Sequence, residues 1–462
     1  MKSYSDLVDQ TFEFPTEEFK VKKNKLFFND VDLSGIIKQY GTPLKLSYLP
    51  KISERIQYAK HIFNKAIDKK NYKGKYVYCY CTKSSHFEFV MNEALKNDIH
   101  IETSSAFDIY IIEKLYEKGK LNQDTFVICN GFKRDKYKEK ITDLLNAGFK
   151  NCIPILDNLK ELEHYNQQVN DNFQVGIRVA SDEEPNFAFY TSRLGIRYND
   201  IVDYYKNEIR DNPKISLKML HFFINTGIKD TAYYWSELSR FMYKYCEMKK
   251  ICPELDSVDI GGGFPVKSSL HFEYDFEYMA EQIVENIQWI CKKNHVDVPH
   301  IFTEFGSFTV GESGAVIYSV LDQKLQNDKE LWYMMDGSFI TNLPDVWGLN
   351  QKYIMLPINH WNNNFHKVNI GGLTCDSMDY YDSEAHIAEV FLPMFDETET
   401  LYFGFFHTGA YQEALGGYGG IQHCLIPAPK HVVIQKNGDG TLVSEVFSEE
   451  QSNESMLKIL GY

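Results

Sequence analysis

The stretch Tyr76-Val-Tyr-Cys-Tyr-Cys-Thr-Lys83-Ser-Ser-His86 decides how the rest of the chain is organised. Residues 76–82 are rich in aromatic, β-branched and sulfur side chains, which reads as a buried strand. Period-two alternation then places Val77, Cys79, Cys81 and Lys83 on one face. Ser85-His-Phe-Glu88 has the S-x-x-E form of a helix-starting capping box, ahead of the apolar positions Val90, Met91, Ala94 and Leu95. The sequence thus sets a lysine at the carboxyl end of a strand, facing inward, just before a helix. Desolvation is expected to lower its pKa, and an amine held in this way can form a Schiff base with an aldehyde. The plain alternative is a lysine whose stem lies along the strand end while its head reaches water.

Working outward, apolar strand-like runs recur at 76–81, 99–103, 125–129, 152–156, 174–179, 217–224, 257–260 and 301–304. Helical patterns lie between them, at 107–118, 135–147, 158–167, 235–250 and 276–293. Eight strands alternating with helices predict an α/β chain with a parallel (β/α)8 barrel. An open doubly wound sheet would alternate as well, but the usual dinucleotide fingerprint is missing. After about residue 321 strands dominate, and 433–445 reads as a hairpin around the turn Asn437-Gly-Asp-Gly440. The expected division is a barrel over 45–320 and a β-rich, sandwich-like domain made of 1–44 and 321–462.

Bulk properties narrow the partners. The chain has 462 residues and a net charge of -15, which argues against nucleic acid or an anionic membrane as a partner. Nine cysteines show no disulfide-framework spacing, and Cys79-x-Cys81 lacks a second pair for a metal. No metal site is expected, and a cytoplasmic location with reduced thiols is the simplest account. The first residues carry no signal-peptide pattern, and no apolar run is long enough to span a bilayer.

In such barrels the chemistry sits at the carboxyl ends of the strands. The residues at or just past the ends of these runs are Lys83, Glu102, Asn130-Gly131, Arg178, Asn225-Thr226, Gly261-Gly262-Gly263 and Glu304 with Ser307. Three successive glycines let a backbone approach an anion and offer it several N–H groups, although a turn needing positive φ would use them too. Glu304 reads either as a paired structural acid or as a partner for a protonated ring nitrogen. An amine, an anion cradle and an acid together call for a cofactor that is both aldehyde and phosphate. Pyridoxal 5′-phosphate fits.

Several stretches carry a family resemblance: Tyr40-Gly-Thr-Pro43, Ile128-Cys-Asn-Gly-Phe-Lys133, Leu343-Pro-Asp-Val-Trp347, Thr374-Cys-Asp-Ser377 and Gly404-Phe-Phe-His-Thr-Gly-Ala-Tyr-Gln-Glu413. Over nearly its whole length the chain resembles the barrel-type, alanine-racemase-fold pyridoxal-phosphate decarboxylases, and most of all the biosynthetic arginine decarboxylases. The resemblance implies that Lys83 is the Schiff-base lysine and that Glu304 contacts the pyridine nitrogen. It implies that Gly261, Gly262 and Gly263 form the phosphate loop and that Tyr411 contacts phosphate. It further implies a homodimer in which Cys375 and Asp376 come from the second subunit.

Three positions depart from the family pattern. Phe223 stands where a histidine usually stacks on the cofactor, Ser307 replaces the arginine of the Glu-x-Gly-Arg motif, and Asn225 replaces a glycine. A phenyl face still stacks but brings no charge, and the hydroxyls of Ser307 and Thr226, or a cation not identified from the sequence, are left to serve the phosphate. The expected reaction is decarboxylation of a basic amino acid, arginine to agmatine first, within polyamine biosynthesis. Cys375 is expected to return a proton to Cα, and Asp345, Asp376 and Asp379 to hold a distal cation. Citrulline, ornithine, lysine and diaminopimelate are the alternative substrates. A catalytically inactive regulatory homologue is the alternative of another class, against which the retention of Lys83, Glu304 and Cys375 speaks.

Overall fold

The computed structural model describes residues 3–4, 14–181, 192–385, 387–396 and 398–462. The chain divides into two compact units. One comprises Ile52–Pro265 and Tyr274–Thr309; the other comprises Met1–Lys51, Val266–Glu273 and Val310–Tyr462.

The first unit contains a closed barrel. Its strands are Tyr76–Cys81, His100–Thr103, Val127–Cys129, Cys152–Leu156, Phe173–Ala180, Ile215–His221, Ser257–Asp259 and His300–Phe305. Each pairs in parallel with its neighbour, and His300–Phe305 pairs back onto Tyr76–Cys81, so no barrel edge is left open. A short strand, Ile196–Arg197, adds to the outer end of Phe173–Ala180. The barrel is filled by Cys79, Ile128, Ile153, Ile155, Met219 and Phe302, which are all buried. Gly176 is a packing requirement here: a Cβ at that position would meet Ile155 Cδ1 at 2.4 Å. The sixth strand stops at His221, three residues before the run 217–224 ends, so Phe223 lies in the loop beyond it.

The second unit is built on a ten-stranded sheet around the 13-residue strand Gly314–Gln326. That strand pairs antiparallel with Leu44–Tyr48, with Tyr402–Phe406 and with Glu330–Met335. Its alternation serves two cores: Ala315 and Ile317 pack into one, and Val316, Tyr318 and Val320 into the other. Leu44–Tyr48 also pairs in parallel with Lys430–Lys436, so it belongs to this sheet and not to the barrel. The boundaries therefore fall at 51/52 and 309/310 rather than at 44/45 and 320/321. A three-stranded sheet, Phe19–Lys22, Lys25–Phe28 and Val31–Asp32, packs in the same unit through Phe19 and Phe28 against Phe406. The glycine-rich hairpin forms between Lys430–Lys436 and Leu442–Ser448, with Gly440 at φ 87°. Among the described residues no helix is long and apolar enough to cross a membrane.

Met219 tests the packing of the barrel interior. Truncation to alanine removes a fully buried side chain from this closed core. It should lower stability by about 2–5 kcal/mol, read as an earlier urea midpoint. An unchanged midpoint would show that the interior is not tightly packed there.

Candidate active site

The strand Tyr76–Cys81 runs directly into one turn of 3-10 helix, Thr82–Ser84, and Lys83 is its middle residue. The turn replaces the strict alternation expected through Lys83. It sends Nζ to Glu102 Oε2 at 2.6 Å, at the end of the neighbouring strand, with Cys81 Sγ 3.5 Å away. The predicted capping box does not form. Ser85 closes the 3-10 turn by donating its N–H to Thr82 O at 3.1 Å, and the helix Glu88–Leu95 starts after Phe87 without a side-chain cap. A capping box does occur one unit further on, between Ser105 and Asp108.

The expected depression of the Lys83 pKa is also corrected. Burial pulls it down, but Cys81, Glu102 and Glu304 together outweigh that effect and push it well above the ordinary lysine value. Glu102 is itself pushed up, by burial and by Glu304, against the pull of Lys83. Lys83 is thus held as an ammonium, with its side chain 40 % exposed at the barrel mouth while Glu102 is 1 % exposed.

Lys133 is the other lysine at a strand end, and its chemistry differs. Its Nζ donates to Gly131 O at 3.0 Å and to Ile155 O at 2.6 Å, and it pairs with Glu161 Oε1 at 2.9 Å. Those three partners take up all three ammonium protons. Its side chain is 0 % exposed. Lys133 is therefore fully engaged, whereas Lys83 keeps an exposed face at the barrel mouth.

Glu304 sits near the end of the eighth strand, 4 % exposed. Asn130 Nδ2 donates to its two oxygens at 3.1 and 3.2 Å, and His221 Nε2 lies 3.1 Å from Oε2. Burial works against the carboxylate, but His221, Lys83 and Arg178 outweigh it and hold the group at about 2. Asp259 is treated in the opposite way. Burial and the charge of Glu304 push it well above the usual carboxylate value. The two acids are thus pushed in opposite directions, the separation expected when two carboxyls share a buried site.

The glycine loop follows the seventh strand. Gly261 and Gly263 have φ of 70° and 112°, a region that side chains other than glycine's rarely adopt. A Cβ on Gly262 would fall 2.2 Å from Glu304 O, and one on Gly263 would fall 2.8 Å from Gly227 Cα. The loop is thereby drawn against both the eighth strand and the turn that follows Thr226. Glu304 O also accepts from Cys81 Sγ at 3.1 Å, so the glycines and the Lys83 turn flank the same carbonyl. Among the described residues, no acceptor takes the N–H of Gly262 or Gly263. Phe223 is 40 % exposed beside Gly261, with Arg178 Cζ 5.8 Å from its ring centroid. Thr226 and Ser307 are both half-buried. An accessible amine, unclaimed backbone donors in a cradle that only glycine fits, an apolar ring face and a buried ionised acid together suit pyridoxal phosphate.

The remaining expected residues lie in the β-rich unit. Cys375 is exposed, and Asp376 accepts from Met378 N at 2.8 Å. Asp345 accepts from Gln412 Nε2 at 2.7 Å, which links it to the segment of Tyr411. Tyr411 holds a left-handed backbone at φ 68°, a costly conformation for a bulky residue and one that gathers at functional sites. Asp379 does not fit the expected role. It is 4 % exposed, and it accepts from Phe339 N at 2.8 Å, Thr374 N at 3.1 Å and Thr374 Oγ1 at 2.7 Å. Its carboxylate holds the loop together and has no face left for a substrate cation. Glu102, Asn130, Arg178 and His221 take part in the site although the sequence assigned them no role; their only signal was position at strand ends.

Glu102→Gln tests the electrostatics. Removing the charge beside Lys83 favours the neutral amine. Modification of the cofactor-free protein by an amine-selective reagent, followed at Lys83 by peptide mass, should begin at lower pH than in wild type. Identical profiles would mean that Glu102 does not hold the proton.

Comparison with known proteins agrees with this geometry. Residues 55–311 match the pyridoxal binding domain of the pyridoxal-dependent decarboxylases. A biosynthetic arginine decarboxylase from Prochlorococcus marinus is 23% identical, over 94% of this chain and 85% of its own length. The crystal structure of the biosynthetic arginine decarboxylase of Campylobacter jejuni superposes with a TM-score of 0.82 at 21% identity, covering 97% of this chain and 89% of that one. A diaminopimelate decarboxylase from M. jannaschii gives 0.79 at 16% identity, over 96% of this chain and 97% of that one. The match to the family covers more than half of the chain, and with an accessible amine, a glycine loop and a buried ionised acid at one barrel mouth, this protein belongs to the pyridoxal-phosphate-dependent amino acid decarboxylases.

Proposed function

We propose that the protein converts arginine to agmatine as a step of polyamine biosynthesis. The observation that carries the substrate is that the similarity to an arginine decarboxylase runs over 94% of the chain, through the β-rich unit as well as the barrel. When bound, pyridoxal phosphate supplies an electron sink for the pair released as CO2 leaves. Lys83 anchors it and must give up its proton to do so, with Glu102 at 2.6 Å as the nearest acceptor. Glu304, ionised and fixed by Asn130 and His221, holds a proton at the ring nitrogen. Phe223 offers the ring an apolar face, and Gly262, Gly263, Thr226 and Ser307 provide neutral donors for the phosphate.

Cys375 returns a proton to Cα, and Asp345 and Asp376 oppose the positive charge at the far end of the substrate. Asp379 is left out, because its buried carboxylate is held by Thr374 and by the N–H of Phe339. The working form is a homodimer in which the partner brings its Cys375 and Asp376 to the barrel mouth, and Tyr411 reaches the phosphate. Cys375 is exposed on the single chain, as a thiol offered to a partner's site has to be. A cytoplasmic location agrees with nine cysteines that form no disulfide.

Purified protein with cofactor should release agmatine from arginine, identified by mass, faster than it forms any amine from citrulline, ornithine, lysine or diaminopimelate. A preference for any of those would replace arginine as the substrate, and no amine from any of them would point to an inactive homologue. Lys83→Ala should lose both turnover and the visible absorbance of bound cofactor. Cys375→Ala should keep that absorbance while turnover falls by about 10²-fold or more; an unchanged rate would remove Cys375 from proton transfer.

A further inference from the structure

Two segments far apart in sequence bring soft donor atoms together on the β-rich unit. Cys375 Sγ lies 3.5 Å from Cys424 Sγ. A ring nitrogen of His423 completes a trio whose donor atoms all lie within 4.8 Å of one another. All three side chains are exposed on the single chain. Neither Cys424 nor His423 has a part in the decarboxylation outlined above.

Two sulfurs and an imidazole select zinc-class cations over magnesium, calcium or manganese, which prefer oxygen donors. Zinc binds thiolate sulfur at about 2.3 Å and imidazole nitrogen at about 2.0–2.1 Å in a tetrahedral shell. Those lengths put neighbouring donors a little under ~4 Å apart, so the sulfurs already have the required spacing. The imidazole closes the remaining gap by side-chain rotation alone, which its exposure permits. Three protein donors leave a fourth position for water or another ligand, as in open rather than closed zinc sites. Asp376, next in sequence to Cys375, adds negative charge beside the trio.

We propose that Cys375, His423 and Cys424 form a binding site for a thiophilic divalent cation of the zinc class. A cation on the Cys375 sulfur displaces its proton, so occupancy blocks turnover reversibly. That consequence rests on the role given to Cys375 above; the binding itself does not.

The test uses the reduced, full-length holoenzyme freed of metal with a chelator. Zinc is titrated in competition with a chromophoric chelator, and cobalt serves as a spectroscopic probe for thiolate charge-transfer and tetrahedral d–d bands. The expected result is one tight ion per chain with thiolate-to-cobalt bands. Affinity should drop at least ~10-fold in Cys424→Ser and in His423→Ala, with folding checked by circular dichroism. In wild type, zinc should block agmatine release and chelator should restore it, whereas Cys424→Ser should stay active in the same zinc. Tight zinc binding with full turnover would uphold the site and remove Cys375 from the reaction. No uptake, or equal uptake in wild type and both variants, would overturn the site. So would a reduced protein that ignores zinc but joins the two sulfurs on exposure to hydrogen peroxide.

Discussion

The contact between Lys83 Nζ and Glu102 Oε2, at 2.6 Å, is the interaction on which the site depends. Glu102 lies at the end of the second barrel strand with almost no solvent, and a bare carboxylate there would be costly. The ammonium of Lys83 answers that charge and in return is steered across the barrel mouth rather than out along the strand. The 3-10 turn Thr82–Ser84 makes this geometry possible by rotating Lys83 off the strand register. The lysine is consequently stored in protonated form. Its activation is a matter of passing a proton to a neighbour, not of a low intrinsic pKa.

The rest of the mouth is set by strand adjacency. The first, eighth and seventh strands are neighbours in the ring, so the Lys83 turn, Glu304 and the glycine loop share one end of the barrel. Glu304 is fixed twice: Asn130 and His221 hold its carboxylate, and Cys81 Sγ donates to its carbonyl, which also faces Gly262. Among Glu102, Asp259 and Glu304 the protein separates roles through environment. Glu304 faces His221, Lys83 and Arg178 and stays ionised, whereas burial and Glu304 push Asp259 the other way.

Much of this was legible in the sequence because strand runs are local. Eight apolar runs, each ending in a polar or glycine-rich stretch, marked both the barrel and its functional end. What escaped was non-local. The partner of Lys83 lies 19 residues away, so desolvation alone pointed its pKa the wrong way. Ser85 looked like a helix cap, but its N–H closes a preceding turn that alternation could not anticipate. Gly314–Gln326 merged with the barrel pattern because its first half is buried on both faces, as barrel strands are. Asp379 resembled a substrate acid only until its Thr374 and Phe339 donors were visible. Cys375 and Cys424 are 49 positions apart, beyond any spacing rule for metal ligands.

The most direct measurement is to reduce the holoenzyme with borohydride and locate the phosphopyridoxyl group by peptide mass spectrometry. A single adduct on Lys83 is the expected result. An adduct on Lys133, or on a lysine away from the carboxyl end of the first barrel strand, would contradict it.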